Sequence, residues 1–233
     1  VSYTGNPNTT SDDFSGDMVF QLFEEWSPVT TARFIDLVDS GGEDGGPFYD
    51  GLTFHRVIDG FIVQGGDPNG DGTGGSGAEF NDEFSPELQF TSAGILAMAN
   101  SGADTNDSQF FITDAAARWL DYRYTIFGFL TSGEEILQKI SAVPTDSDDK
   151  PNYTVQIDSV SVEINTEDQV LHLAAEAGTT GTSTVTVKAM TINEYGNEQV
   201  LASRSFKVTL AADTNNNRPY VDPETPIETT DGD

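Results

Sequence analysis

More than half of the residues from Gly65 to Gly77 are glycine. Neither a helix nor a strand can hold such a stretch, because glycine gives up more chain entropy on ordering than any other residue. It must be a loop, and short apolar runs punctuated by turn signals stand on both sides of it. Thr53–Ile58 and Phe61–Gln64 flank Asp59-Gly60 as the two strands of a hairpin. Gly94–Asn100 and Ser108–Thr113 read as two more strands about a polar turn at 101–107, and Thr125–Phe129 as another. Met18–Phe23 is apolar at both strand parities, which predicts a strand buried on both faces. The fold class expected is mainly β.

Two helices interrupt the strands. Ser27-Pro28 supplies an N-cap and a first helical residue, and Val29, Ala32, Phe34, Ile35, Leu37 and Val38 give the next turns a broad apolar stripe that Ser40-Gly41-Gly42 closes. The second helix runs from about Ser132 to Val143, with Ile136, Leu137, Ile140 and Val143 on one face. Glu134 and Glu135 suit the positive end of its dipole, Lys139 lies nearer the negative end, and Pro144 stops it. An Asp/Pro-rich linker at 144–152 precedes Val155–Val162, whose strict alternation predicts a half-buried strand. From there the composition turns Thr/Val-rich without helical period, giving strand-like runs at 169–174, 183–191 and 199–211. The organisation expected is an N-terminal segment at 1–16, a first domain at 17–164, a small all-β unit at 165–212 and an acidic Pro/Asn-rich tail or linker at 213–233.

Charge excludes several partners. The 233 residues hold 10 Lys+Arg against 39 Asp+Glu, a net charge of −29. Such a surface repels phosphate backbones and anionic lipid, so no nucleic-acid partner is expected. No apolar run approaches the roughly 20 residues of a membrane span. The absence of Cys removes disulfides, thiol catalysis and Cys-type metal sites. With only two His, a metal site would have to rest on carboxylates. No Gly-x-Ser-x-Gly elbow occurs, and Gly72-Thr73-Gly74-Gly75 lacks the P-loop lysine. Asp67-Pro68-Asn69-Gly70-Asp71-Gly72 imitates the opening of a calcium loop, but its closing position falls on Ala78, with Glu79 one residue late. Asp213, Asn215 and Asn217 are a weaker candidate.

The densest unusual signal is Phe54-His55-Arg56-Val57-Ile58-Asp59-Gly60-Phe61-Ile62-Val63-Gln64-Gly65-Gly66-Asp67. It is followed by Gly94-Ile95-Leu96-Ala97-Met98-Ala99-Asn100, Thr105-Asn106-Asp107-Ser108-Gln109-Phe110-Phe111-Ile112-Thr113, Trp119-Leu120-Asp121 and Thr125-Ile126-Phe127-Gly128. In this collinear order, from about Asp17 to Val162, the chain resembles the cyclophilins, the peptidyl-prolyl cis/trans isomerases. The resemblance implies a closed eight-stranded antiparallel barrel capped by two helices. It also implies catalysis of rotation about X–Pro bonds in proline-containing peptides or unfolded proteins, with no cofactor and no metal. Position by position, Arg56 matches the family arginine, with Phe61, Gln64 and Phe111 completing the catalytic set. Phe61, Ile62, Phe111 and Leu120 match the proline pocket. Gln64, Ala99, Asn100 and Gln109 match positions that bind or line the substrate backbone. Trp119 matches the aromatic rim position linked to cyclosporin sensitivity, which makes a cyclosporin-like ligand an expected partner. Tyr124 departs from the pattern, since the best-studied eukaryotic members carry histidine there.

Other readings stand beside this one. A lone arginine on a strand is ordinarily a surface ion-pair residue, and only the neighbours of Arg56 in register make it catalytic. His55 reads as a structural, hydrogen-bonded histidine, because isomerisation needs no base; His172 has no evident partner. Phe54, Phe110, Phe127 and Phe129 read as core.

Residues 165–212 resemble part of an immunoglobulin-like or cadherin-like β unit of bacterial surface proteins, on the runs Ser183–Val187 and Ser205–Leu210. Three strands are too few for a sandwich of about seven. Its open edges invite self-association. One expectation is that Val1–Tyr3 completes this sheet, with the isomerase domain inserted between its strands. No targeting signal is visible, and the β unit and the acidity together point to an extracytoplasmic location. Two function classes follow: an isomerase assisting the folding of extracytoplasmic proteins, or a structural or adhesive cell-surface module that uses the same fold to bind proline peptides.

Overall fold

The computed structural model describes residues 1–6, 13–41, 46–163, 180–192, 198–211, 220–221 and 229–230. The chain divides into two compact units, residues 1–171 and 172–233.

In the first unit the strands are β1 (Ser2–Tyr3), β2 (Phe14–Ser15), β3 (Val19–Leu22), β4 (Arg56–Ile58), β5 (Ile62–Gly65), β6 (Ile95–Met98), β7 (Phe110–Thr113), β8 (Ile126–Ser132) and β9 (Val155–Gln156). They form a six-stranded antiparallel sheet in the order β3-β8-β6-β7-β5-β4 and a three-stranded sheet in the order β2-β1-β9. Thr53 links the two through bridges to Asp67 and Gln156. The closed eight-stranded barrel is therefore not reproduced among the described residues. The strands that would have to join β3 to β4, namely β1, β2 and β9, are two residues long each.

Both edges of β1 are occupied, by β2 on one side and β9 on the other. A strand has only two edges, so the expectation that Val1–Tyr3 completes the C-terminal sheet is corrected. Met18–Phe23 is also corrected from a fully buried strand. β3 is an edge strand paired with β8 alone, and Val19 is 53% exposed. The alternation read at 155–162 is realised only at its start, where Val155 and Ile157 are buried and Gln156 and Asp158 exposed. The Asp/Pro-rich segment at 144–152 is no linker. It is tied back on itself by Asp146 N–H to Lys150 C=O (2.9 Å) and Asn152 N–H to Pro144 C=O (2.9 Å), and to β4 by Val57 N–H to Asp149 C=O (2.8 Å).

Helix α1 spans Pro28–Ser40. Ser27 stands at its N-cap position, but the hydroxyl donates instead to the Ile126 carbonyl (2.6 Å). The orphan N–H groups are met from a distant loop: the Glu83 carboxylate accepts from Val29 N–H (3.1 Å) and Thr30 N–H (2.7 Å). Thr30 and Thr31 are buried while Val29 is 56% exposed, so the inward stripe is turned from the one read off hydrophobicity. The Thr30 hydroxyl bonds Glu83 and the Thr31 hydroxyl bonds Ser27 C=O (2.8 Å each), which makes burying them tolerable. Helix α2 spans Glu134–Ser141, with Ile136, Leu137 and Ile140 buried and Glu134, Glu135 and Lys139 placed as the dipole favours. Its N-cap, Gly133, has φ +93°, and a Cβ there would collide with the Asp17 carbonyl. One interior core gathers side chains from both helices and both sheets, including Tyr3, Phe34, Leu137, Val155 and the fully enclosed Tyr49 and Phe127.

The second unit is a long antiparallel hairpin of β10 (Gly181–Ile192) and β11 (Glu198–Ala211) with a register slip between Ala189 and Met190. Strands β12 (Tyr220–Val221) and β13 (Thr229–Thr230) both pair with β11. The runs expected at 183–191 and 199–211 lie within the hairpin. The run at 169–174, His172 and the Asp213–Asn217 candidate lie outside the described residues, and the described strands show no immunoglobulin-like sandwich.

Candidate active site

Strand register decides what each face of the larger sheet carries. Arg56 pairs with Gln64, Gln64 with Phe111, and Phe111 with Ala97. Directly paired residues share a face, so these four form one row across β4, β5, β7 and β6. One residue out of phase, Val57, Val63, Ile112 and Leu96 form a row on the opposite face, and all four belong to the interior core.

The outward row stands over a second apolar cluster. Ile62, Phe111 and Leu120 are buried in it, and Phe61, Ala99 and Tyr124 pack at its edge. Phe111 is fixed from two sides, stacked on Phe90 (centroids 5.8 Å, 18°) and met edge-on by Tyr124 (5.4 Å, 87°). Phe61 comes from the tight hairpin loop, where Gly60 has φ +70° and Phe61 N–H bonds Ile58 C=O (3.0 Å). It stacks on Trp119 (5.6 Å, 29°), whose ring is 57% exposed at the rim. The short 3-10 turn Arg118–Leu120 thus points Trp119 outward and Leu120 inward.

The polar half of the site is held by amides. Gln64 Nε2 donates to Gln109 Oε1 (2.9 Å), and Gln109 Nε2 donates to the carbonyls of Gly72 (3.1 Å) and Gly74 (2.8 Å). The glycine-dense loop therefore docks against the row, and a Cβ at Gly74 would strike the Asp67 carboxylate. Ala99 N–H bonds Gln109 C=O (2.9 Å). Asn100 Nδ2 donates to Arg123 C=O (2.9 Å) and Asn100 Oδ1 accepts from Gly102 N–H (3.3 Å), which ties the 99–102 turn to the Trp119–Tyr124 loop. All eleven residues singled out in the sequence lie on this face or its rim: Arg56, Phe61, Ile62, Gln64, Ala99, Asn100, Gln109, Phe111, Trp119, Leu120 and Tyr124.

Three residues were not foreseen. Phe90 is fully buried behind Phe111, but it sits between polar neighbours outside any regular element and carries no periodic signal. Asp121 holds the site's loop, its carboxylate accepting from Phe90 N–H (2.8 Å) and Arg118 Nε (2.7 Å). Asp149 lies 3.5 Å from Arg56 Nη2.

Two further readings are changed by the geometry. His55 is buried, yet neither ring nitrogen has a hydrogen-bond partner among the described residues. Burial pushes its pKa below the usual imidazole value, against the opposing pull of Asp67 and Asp71. The calcium-like opening at Asp67 is already filled by its own loop, since that carboxylate accepts from the N–H groups of Asn69 (2.8 Å), Asp71 (3.1 Å) and Gly72 (2.5 Å). Among the described residues no three or more acidic or histidine side chains converge as a metal site would need. No helix among them is long and apolar enough to cross a membrane.

Fold and row together define a β domain whose sheet gathers a guanidinium, two linked amides and an aromatic floor on one face. The family model described as cyclophilin type peptidyl-prolyl cis-trans isomerase/CLD matches residues 8–162. The chain belongs to that family and is an isomerase of the cyclophilin type. A probable peptidyl-prolyl cis-trans isomerase A from Mycobacterium leprae is 45% identical over 168 residues, covering 67% of this chain and 92% of that protein. The human peptidyl-prolyl cis-trans isomerase-like 1 is 44% identical over 154 residues, covering 65% and 89%. Among solved structures, a Cryptosporidium parvum cyclophilin-type isomerase crystallised in the presence of the dipeptide Ala-Pro superposes with a TM-score of 0.60. It is 39% identical, and the match covers 64% of this chain and 94% of that one.

Proposed function

We propose that this chain isomerises X–Pro bonds in proline-containing peptides and unfolded proteins over the Arg56–Gln64–Phe111 row. The amide rotates slowly because resonance sets a barrier of roughly 20 kcal/mol. In the twisted state the nitrogen loses conjugation and gains a lone pair. A fixed cationic donor aimed at that nitrogen binds the twisted state better than either planar one. Arg56 is that donor, charged at every relevant pH. Phe61, Ile62, Phe111 and Leu120 hold the pyrrolidine ring, while Gln64, Ala99, Asn100 and Gln109 face the peptide backbone. No nucleophile, proton shuttle or cofactor enters. The exposed Trp119 beside Phe61 would be the contact for a cyclosporin-like macrocycle. The observation carrying the reading is the register that puts Arg56, Gln64 and Phe111 in one row above a single apolar cluster.

A prolyl-isomerisation assay on a short Ala-Pro peptide tests this. Wild type should accelerate exchange well above background, and Arg56→Ala should lose about a hundredfold, the scale of removing one transition-state donor. Folded wild type without acceleration, or an Arg56→Ala variant that keeps its rate, would overturn it. The net charge of −29 and the Thr/Val-rich C-terminal strands favour clients outside the cytoplasm; fractionation of the source cells checks that location.

A further inference from the structure

The apolar surface does not stop at Tyr124. Beside it a shallow depression is lined by Glu83, Phe84, Ser85, Leu88, Tyr122, Tyr124 and Ile126. Leu88 and Ile126 are buried in the same cluster as Phe111, and Tyr124, which meets Phe111 edge-on, also lines this depression, so one side chain borders both places. Two aromatic rings stand over it, Phe84 at 45% exposure and Tyr122 at 37%, packed edge to face at 6.4 Å and 89°.

Both rings are held out by anchored backbone. Beside Phe84, Glu83 donates its N–H to the Thr125 hydroxyl (2.9 Å) while its carboxylate accepts from the start of α1. Tyr122 stands between Asp121, pinned to Phe90 and Arg118, and Arg123, whose carbonyl takes the Asn100 amide. Tyr122 itself has φ +57°, a left-handed conformation disfavoured for any residue with a Cβ and an outlier for an aromatic one. Strain of this kind persists only where the surroundings impose it. Here it aims a tyrosine ring at a phenylalanine on the surface.

We propose that Phe84 and Tyr122 form an apolar shelf continuing the proline pocket beyond Tyr124, which takes an apolar side chain of the same substrate chain close to the proline. The proposal rests on the proline-pocket reading above and adds a preference to it. Continuity through Tyr124 selects this occupant, and the net charge of −29 works against an acidic residue there.

The test uses proline peptides that differ only in leucine or serine, scanned over the three positions on either side of the proline. Binding to the full chain is measured by calorimetry for wild type, Phe84→Ser and Tyr122→Gly. Glycine suits φ +57°, so Tyr122→Gly removes the ring without unfolding the loop. At one position leucine should bind wild type about fivefold more tightly than serine, the scale of a partly buried aliphatic side chain. Both variants should bring that ratio close to one while serine-peptide affinity stays put. No leucine preference at any position, or a preference surviving in both variants, overturns the shelf. So does a change in sedimentation with Tyr122→Gly at unchanged peptide preference, which would assign the rings to contact with a second copy. Isomerisation of the serine peptide reports separately: turnover without leucine preference removes the shelf alone, and leucine preference without turnover removes the catalytic reading alone.

Discussion

Arg56 and Asp149 face each other across the edge of the sheet, with Nη2 3.5 Å from a carboxylate oxygen and both side chains about two-fifths exposed. The contact is doubly tethered, because the Asp149 carbonyl also accepts the N–H of Val57, the next residue along β4. An ion pair this exposed adds little to stability. It does restrict where the guanidinium can point.

Asp149→Asn should therefore leave the unfolding free energy within about 1 kcal/mol of wild type yet lower kcat several-fold, with KM nearly unchanged. Asparagine tolerates the left-handed φ of +63° at this position. Asp149→Ala should cost about 1 kcal/mol more in stability, because alanine does not. Peptide kinetics alongside urea unfolding separate the two effects. Unchanged kcat in Asp149→Asn would remove its positioning role.

Removing the carboxylate that caps α1 should be costly. Glu83 accepts three hydrogen bonds from Val29 and Thr30, two of them from helix N-terminal amides next to the positive dipole end. Glu83→Ala should lose about 2 kcal/mol, and Glu83→Gln less, since the amide oxygen still accepts. Denaturant midpoints for the two variants check the order.

Phe90→Leu keeps most of the buried volume but removes the stacked ring behind Phe111. Stability should fall by less than about 1.5 kcal/mol. KM for proline peptides should rise more than kcat falls, because the pocket wall loosens while Arg56 is untouched.

His55 should make the fold sensitive to mild acid. Burial lowers its pKa, so the folded chain binds the proton less well than the unfolded chain does. Its contribution is fully present above the ordinary value of 6.5 and is lost as pH falls below it. Chemical unfolding at pH 7.5 and pH 5 should show a larger drop for wild type than for His55→Gln, which carries no titrating group there. Equal drops would mean that His55 reaches water or a partner when charged.

The strands that carry Arg56, Ile62, Gln64 and Phe111 were legible as apolar runs between turn signals, but the register that builds the row was not. A two-residue turn at Asp59-Gly60 would pair Arg56 with Val63. The loop takes in Phe61 as well and pairs Ile58 with Ile62, and only then do Arg56 and Gln64 share one face and Val57 and Val63 the other. What else stayed hidden depends on contacts between distant segments. Nothing near Ser27 says that its hydroxyl will serve Ile126 and leave the helix end to Glu83. Nothing in Asp146–Lys150 distinguishes a solvated linker from a turn folded against β4. His55 looked like a hydrogen-bonding residue because buried imidazoles are usually satisfied, and only its surroundings show otherwise. The residues assigned by resemblance come together around one face of the larger sheet, whereas closure of the barrel was overstated, because strand number comes from the family and strand length from this chain. The two-residue strands β1, β2 and β9 are where those differ.

The back-to-back rows of the larger sheet bear on how such a chain can change. Deleting one residue inside β5 would send Gln64 toward the interior and Val63 toward the peptide, swapping a polar group and an aliphatic one between oil and water at once. Length variation is thus barred from the strands themselves and left to turns such as Gly65–Gly77 or the segment after Ile157. Lineages of this domain can retune what they bind by exchanging side chains along the outer row, but they cannot shift its frame without dissolving the molecule that holds it.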